Sequence, residues 1–301
     1  MEYLLYNKPC GVTSFDALYP IKKALKTSKV GHTGTLDKFA CGLLIILKGR
    51  ALKLSRFFTH CDKKYEAEVY FGAETDTLDP EGVIIARAPP PSREDLEKAI
   101  KQHCGKIMQK PPAYSAIHIN GKRAHSLARS GLAQEMVIPA RAVTIHDIKL
   151  ISYDKIQTET VEQGKVAKIF VHCSSGTYIR SLMRDIAIES DSRSHLKALR
   201  RIAVADFNVA EAADCATPAD FISAFTPIDR ACFSRLGIPL LDVDATTAKS
   251  LSNGRALNAL FAENFFPPSR DVATLFYGQK LIAVLEKEKN CWKYGFVNND
   301  C

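Results

Sequence analysis

Several local signatures are missing from this sequence, and each absence removes a class of protein. No Gly-x-Gly-x-x-Gly, no Gly-x4-Gly-Lys-Ser/Thr and no Gly-x-Ser-x-Gly occurs, so dinucleotide enzymes, P-loop NTPases and serine hydrolases lose their usual marks. The eight histidines form no His-Glu-x-x-His or His-x3-His spacing, which leaves no metal expected. Nine cysteines (Cys10, Cys41, Cys61, Cys104, Cys173, Cys215, Cys232, Cys291 and Cys301) include no Cys-x-x-Cys pair. An odd, scattered set argues for reduced thiols and against a disulfide framework. The longest purely apolar stretch lies within Gly42 to Leu47, far short of the roughly 20 residues of a membrane helix. The opening MEYLLYNKPCG lacks the basic start of a signal peptide. No repeat of about 20 to 50 residues is present. A soluble, cytoplasmic protein with no membrane partner and no cofactor is expected.

What is present fits a catalytic or binding globule with an anionic partner. The 301 residues suggest two domains or one large domain with an appendage, and 46% hydrophobic with 25% charged residues is ordinary globular usage. Forty-one basic against 33 acidic residues leave +8, a sign that favours a polyanion. Between Lys101 and Lys149 eight basic residues face only Glu135 and Asp147. The same segment carries Pro111, Pro112, Tyr114, His118 and His125, the mix of stiff, aromatic and cationic groups found on nucleic-acid surfaces. By charge alone a solvated basic face is an equal reading.

Periodicity places the elements. Ser14 is a candidate N-cap for a helix toward Lys26, with Ala17, Leu18, Ile21 and Leu25 on one face. Tyr65, Ala67, Val69 and Phe71 alternate with Glu66, Glu68 and Tyr70, the pattern of a half-buried strand. Ser92 with Asp95 opens a helix that Gly105 closes. Lys168 to Cys173 reads as a strand, Ser174-Ser175-Gly176 as a turn, and Ile179, Leu182, Met183 and Ile186 as a helix stripe. Tyr178 and Arg180 then sit off that stripe in the first turn, where side chains near a strand end reach a cleft. From Cys232 the chain becomes β-rich, with a helix ending at Asn253-Gly254, then VATLFYGQKLIAVLE and CWKYGFV as a strand pair. Without regular βαβ alternation, the fold class is α+β with a mixed, largely antiparallel sheet.

Gly31-His32-Thr33-Gly34-Thr35-Leu36-Asp37 packs two glycines, two hydroxyls, a histidine and a carboxylate into seven residues ahead of an apolar run. Alone, such an Asp is more often a turn residue than a nucleophile. The string nevertheless resembles the catalytic loop of the TruB family, the stand-alone tRNA pseudouridine synthases that act on the T-loop uridine, conventionally position 55. Other elements resemble that family in the same order: Asn7-Lys8-Pro9 with Gly11-Val12-Thr13-Ser14, Lys64-Tyr65 with Gly72 and Thr75-Asp76-Thr77, Pro112 with Tyr114-Ser115-Ala116 and Arg123, Ser175 to Arg180, and Leu199-Arg200-Arg201 with Phe207. They span about residues 4 to 207. The C-terminal module resembles the family's PUA-like RNA-binding appendage more weakly. Departures are His118 for a usual Lys, His125 for Tyr, Cys41 for Thr, and Ile202 and Ala205 for Thr and Gly.

The resemblance implies a pseudouridine-synthase catalytic domain over residues 1–230, with a thumb-like insertion at about 110–138, and a PUA-like domain over 231–301. It implies Asp37 as the essential carboxylate, acting at the sugar C1′ or as a base that yields a glycal. Arg180 would pair with Asp37 and keep it ionised. Tyr65 would stack on the flipped uracil and help deprotonate C5. His32 would fill the gap the base leaves, Tyr178 and Leu199 would wall the pocket, and Lys8, Lys64, Lys122 and Arg123 would hold the RNA. The implied partner is the T-arm of tRNA, bound by a monomer. Two rival readings stand beside this one: a non-catalytic tRNA-binding or folding protein, and the guide-dependent relative that works on ribosomal RNA inside a ribonucleoprotein. The insertion from Pro111 to Gly131 favours the stand-alone enzyme. A glycosidase would want a second carboxylate across the bond, and beyond Asp76 and Asp79 none stands out.

Overall fold

The computed structural model describes residues 1–115, 118–119, 122–123, 138–155, 164–215, 217–257, 271–289 and 291–298. The first part of the chain forms β1 (Glu2–Lys8), α1 (Leu18–Ala24), β2 (Val30–His32), β3 (Cys41–Lys48), α2 (Ser55–Thr59) and β4 (Lys63–Phe71). There follow β5 (Ala73–Thr75), β6 (Ile84–Arg87), α3 (Arg93–Gln102), β7 (Gly105–Gln109), β8 (His118–Ile119) and β9 (Lys122–Arg123). The middle adds β10 (Arg141–Lys155), β11 (Lys165–Cys173), α4 (Ile179–Glu189), β12 (Ser194–Val204) and β13 (Phe207–Asn208). The last part holds α5 (Pro218–Ser223), β14 (Thr226–Pro227), α6 (Arg230–Arg235), β15 (Leu240–Asp242), α7 (Ala245–Ser252), β16 (Val272–Tyr277), β17 (Lys280–Glu288) and β18 (Cys291–Val297).

One large sheet organises the molecule, in the order β14-β1-β3-β12-β4-β11-β10-β7, with β2 paired to β3 and β13 to β12. Its described pairings are antiparallel except β3 with β12, which run parallel at Arg200 opposite Cys41 and Arg201 opposite Gly42. The expected α+β class with a largely antiparallel sheet is therefore what forms. On β4 the alternation holds through Val69 and fails at Tyr70, which is buried as well: Tyr65, Ala67, Val69 and Phe71 pack with Leu96 and Ala99 of α3 and Leu182, Met183 and Ile186 of α4. The apolar run of β3 instead buries Leu43 to Leu47 on both faces, because α1 covers one side and Phe58, Phe207 and Phe233 the other.

Several local expectations shift. Ser14 caps no helix: α1 begins after Ala17 without a side-chain cap, and the Ser14 hydroxyl donates to the Leu36 carbonyl (2.9 Å) and accepts from the Leu36 amide (2.8 Å). A polar contact across 22 residues has outcompeted a local cap. Ser92 does cap α3, accepting from the Asp95 amide, but the helix ends at His103. Gly105, at φ +95°, opens β7 instead. The C-terminal strand pair is a four-stranded sheet, β15-β16-β17-β18, because VATLFYGQKLIAVLE folds back at Gly278, where φ is +57°. One face of that sheet packs on α7. From its other face Phe276, Leu281, Val284 and Phe296 join Tyr3, Leu43 and Phe207 in one core, so it is fixed against the larger sheet.

Candidate active site

The cleft that holds the expected site residues lies where β4, β12 and α4 meet the loop from Thr33 to Ala40. It has a volume of about 490 Å³ and is lined by Asp37, Tyr65, Tyr178, Arg180 and Leu199, with Leu36, Lys63, Tyr114, Ser115, Arg141 and Arg201, a size suited to a small ligand or one flipped nucleotide. Five of the ten residues singled out from sequence are thus brought together.

Arg180 is the hub. Only 5% exposed, it donates from Nη2 to Asp37 Oδ1 (3.0 Å) and the Tyr114 carbonyl (3.0 Å). From Nη1 it reaches the Thr77 carbonyl (2.9 Å) and Asp79 Oδ2 (3.3 Å). Asp79 is 7% exposed and also accepts from Thr77 Oγ1 and the Glu81 amide. The expected pairing of Arg180 with Asp37 is present, but the carboxyl is not lowered below its ordinary value. Burial raises its pKa above the ordinary carboxylate value, Arg180 pulls it down, and Asp79 pushes it up again, with the net direction upward. Arg180 opposes the desolvation without cancelling it.

A second buried arginine shapes the loop. Arg201, on β12, donates from Nε to the Leu43 carbonyl (2.8 Å) and from Nη2 to the Gly34 carbonyl (3.0 Å), and it stands opposite Tyr65 of β4. Burial raises the Tyr65 pKa despite that positive neighbour. Gly42 makes the approach feasible: φ is +103°, and a Cβ there would stand 2.3 Å from the Arg201 carbonyl oxygen. Thr59 Oγ1 adds a bond to the Thr33 carbonyl (2.7 Å). Tyr178 is set just ahead of α4 by Gln109, which accepts from its amide (2.8 Å) and donates to its carbonyl (3.1 Å).

Other expected residues sit elsewhere. Lys8 is fully buried and donates to the carbonyls of Pro9 (2.8 Å) and Val12 (2.7 Å), so it braces the N-terminal turn and presents no exposed surface to RNA. Lys64 alternates away from Tyr65 to the other face of β4. His32 ends β2 half-buried outside the cleft lining, and its Nδ1 has no partner among the described residues. Burial, then Arg201, lowers its pKa. Lys122 and Arg123 form β9, paired through the backbone to β8, and their side chains lie outside the described residues. So does most of the expected thumb at 110–138.

Three basic cleft residues were given no role from sequence: Lys63, Arg141 and Arg201. Lys63 donates to the carbonyls of Thr59 and Cys61, both at 2.5 Å, and burial, then Arg201, brings its pKa down to about 8. Arg141 lies over the Tyr178 ring at 4.9 Å, with its buried Nε and Nη2 unpartnered among the described residues. Spare guanidinium donors at a cleft are what an anionic ligand would use. The basic count of the 101–149 segment included Arg141, the only available signal.

Comparison with known proteins agrees with this geometry. Residues 22–179 match the model of the TruB family pseudouridylate synthase N-terminal domain. Over 214 residues the chain is 44% identical to tRNA pseudouridine synthase B of Borreliella burgdorferi strain ZS7, covering 71% of this chain and 73% of that one. It is 34% identical over 285 residues to the protein of that name from Caldanaerobacter subterraneus subsp. tengcongensis, covering 94% of each. Among solved structures, a chain of a Cbf5-Nop10-Gar1 complex superposes with a TM-score of 0.67 at 18% identity, covering 99% of this chain and 86% of that chain, a likeness of fold. The fold is that of a pseudouridine synthase. The chain belongs to the TruB family.

Proposed function

We propose that the protein isomerises the T-loop uridine of tRNA, position 55, to pseudouridine, with Asp37 as the essential carboxylate. The observation that carries this reading is Asp37 itself, lining a cleft of about 490 Å³ and bonded at 3.0 Å to the buried Arg180. The N1–C1′ bond breaks, the uracil turns, the C5–C1′ bond forms, and the C5 proton leaves as N1 gains one. Asp37 acts on the ribose, as nucleophile at C1′ or as base toward a glycal. Arg180 holds the carboxylate in place. Tyr65 stacks on the extruded uracil and serves the late C5 deprotonation, between walls formed by Tyr178 and Leu199. Arg141 takes a phosphate of the target strand, a role that suits its spare donors. These steps draw on no metal and no organic cofactor.

Residues 1–230 serve as the catalytic unit in this reading, the insertion at about 110–138 closes on the T-arm with Lys122 and Arg123 as phosphate contacts, and residues 231–301 act as a PUA-like RNA-binding module. His32 fills the place of the extruded base. The protein works as a cytoplasmic monomer. No helix among the described residues is long and apolar enough to cross a membrane, which agrees with a partner in solution.

The test is tritium release from an unmodified tRNA transcript labelled at uridine C5. Wild type is expected to release one equivalent without added metal or nucleotide, and Asp37→Asn none while still binding tRNA. Binding without release by wild type would overturn the reading in favour of a tRNA-binding protein.

A further inference from the structure

We infer that Asp62, His146 and His172 form a binding site for a divalent transition-metal ion on the face of the large sheet turned away from the cleft. Their donor atoms all lie within 4.8 Å of one another. His146 Nε2 stands 3.1 Å from Asp62 Oδ2, and the two imidazole centroids are 4.8 Å apart at 46°. A tetrahedral ion with bonds of about 2.0–2.1 Å holds its donors about 3.3–3.4 Å apart, so closing the set takes about 1.5 Å or less of side-chain torsion at surface positions.

The backbone pre-arranges these groups. The β10–β11 register slips between Ile145 opposite Cys173 and Asp147 opposite His172, so residues 146 and 147 share one partner. From Ile145 opposite Cys173 the pairing carries His146 to a position across from His172 on the same face, and the bulge lets Asp147 share that partner. His172 is fixed from both sides, paired to β10 and opposite Lys64 on β4. Asp62 is held where it precedes β4 by the Ala205 amide, which donates to its carbonyl at 2.9 Å. Lys63 and Tyr65 line the cleft, whereas Lys64, between them, and its partner His172 face the other way.

Two imidazoles and one carboxylate suit zinc, cobalt(II) or nickel(II) and not the all-oxygen shells of magnesium or calcium. Three protein donors leave open positions for water. The cations nearby are Lys149, already paired to Asp147 at 2.7 Å, and Lys64, whose flexible stem can carry its ammonium into water. The expectation of no metal rests on spacing along the chain, and donors at 62, 146 and 172 come from three separate segments. Nothing in the pseudouridine chemistry uses these side chains, so the site stands or fails independently of it.

The experiment is calorimetric titration of the full-length, EDTA-stripped protein with Zn²⁺ in a non-chelating reductant, and visible spectroscopy with Co²⁺. One saturable equivalent is expected, with Co²⁺ giving d–d bands but no thiolate charge-transfer band. His146→Gln and His172→Gln should each weaken Zn²⁺ binding at least about tenfold, since even losing a ligand's outer partner costs 10–100-fold. Circular dichroism checks the fold of each variant, and Asp62→Asn provides a third variant should one histidine change disturb the strands. Absence of saturable binding to wild type, binding unchanged in the folded variants, or a thiolate band placing the ion on cysteines would each overturn the inference.

Discussion

Replacing Arg180 by Met should cost the fold about 3 kcal/mol, and most of that loss should come from Asp79 and not from Asp37. Arg180 and Asp79 are 5% and 7% exposed, and removing one partner of so buried a pair leaves a charge without its counter-ion, typically costing about 3–5 kcal/mol. The lower end applies because Asp79 keeps the bonds from Thr77 Oγ1 (2.6 Å) and the Glu81 amide (3.0 Å). Asp37, its side chain 37% exposed, can be rehydrated when Arg180 is removed, so loss of that contact should cost only about 0–1 kcal/mol. Asp37→Asn should therefore stay within about 1 kcal/mol of wild type. Adding Asp79→Asn to Arg180→Met removes the stranded charge and should restore about 1–3 kcal/mol. Equilibrium urea unfolding of the four proteins reads these differences, and tritium release should remain lost in the double variant because Asp37 still lacks its arginine. If Asp37→Asn destabilises as much as Arg180→Met, or if Asp79→Asn restores nothing, the assignment of the loss to Asp79 is wrong.

Three further outcomes follow from single residues. Lys63, with a pKa near 8 in the fold against 10.5 unfolded, binds fewer protons folded than unfolded between those values. Stability relative to Lys63→Met should accordingly rise from pH 8 toward 10.5, and urea unfolding at pH 7.5, 8.5 and 9.5 would contradict this if the difference stayed flat or fell. Gly42→Ala should destabilise by about 2–5 kcal/mol, since it adds strain at φ +103° to a 2.3 Å approach to the Arg201 carbonyl; a thermal melt within about 2 °C of wild type would refute the packing argument. Arg141→Ala should weaken tRNA binding and reduce the slope of log affinity against log salt by about one, measured by filter binding between 50 and 200 mM salt, and an unchanged slope would remove Arg141 from the phosphate contacts.

The apolar skeleton could be read from the chain because its information is local. Tyr65 to Phe71 declares a half-buried strand by alternation, and Ile179 to Ile186 a helix stripe by spacing, so β4 and α4 formed where the pattern put them. Polar placement is decided by partners far away in sequence. By pattern Arg180 stands off the α4 stripe like any surface arginine, yet it is buried because Thr77, 103 residues earlier, and Tyr114 bring carbonyls to it. Lys8 reads as an RNA-facing lysine until the turn to Val12 is seen folding back to take its ammonium. Arg201 reaches back 158 residues to Leu43, and the closeness of His146 to His172 exists only in the pairing of β10 with β11. Family resemblance reached Arg180 because its motif stores the outcome of such a long-range contact. It misplaced Lys8, whose motif marks a fold requirement as readily as a ligand. A buried charge whose hydrogen bonds go to backbone carbonyls braces the structure, whereas one whose guanidinium nitrogens are unpartnered at a cleft suits a ligand. By that criterion Lys8, bonded to Pro9 and Val12, and Arg201, bonded to Leu43 and Gly34, brace the scaffold, whereas Arg141, with Nε and Nη2 unpartnered among the described residues, is the arginine for which the phosphate contact is proposed.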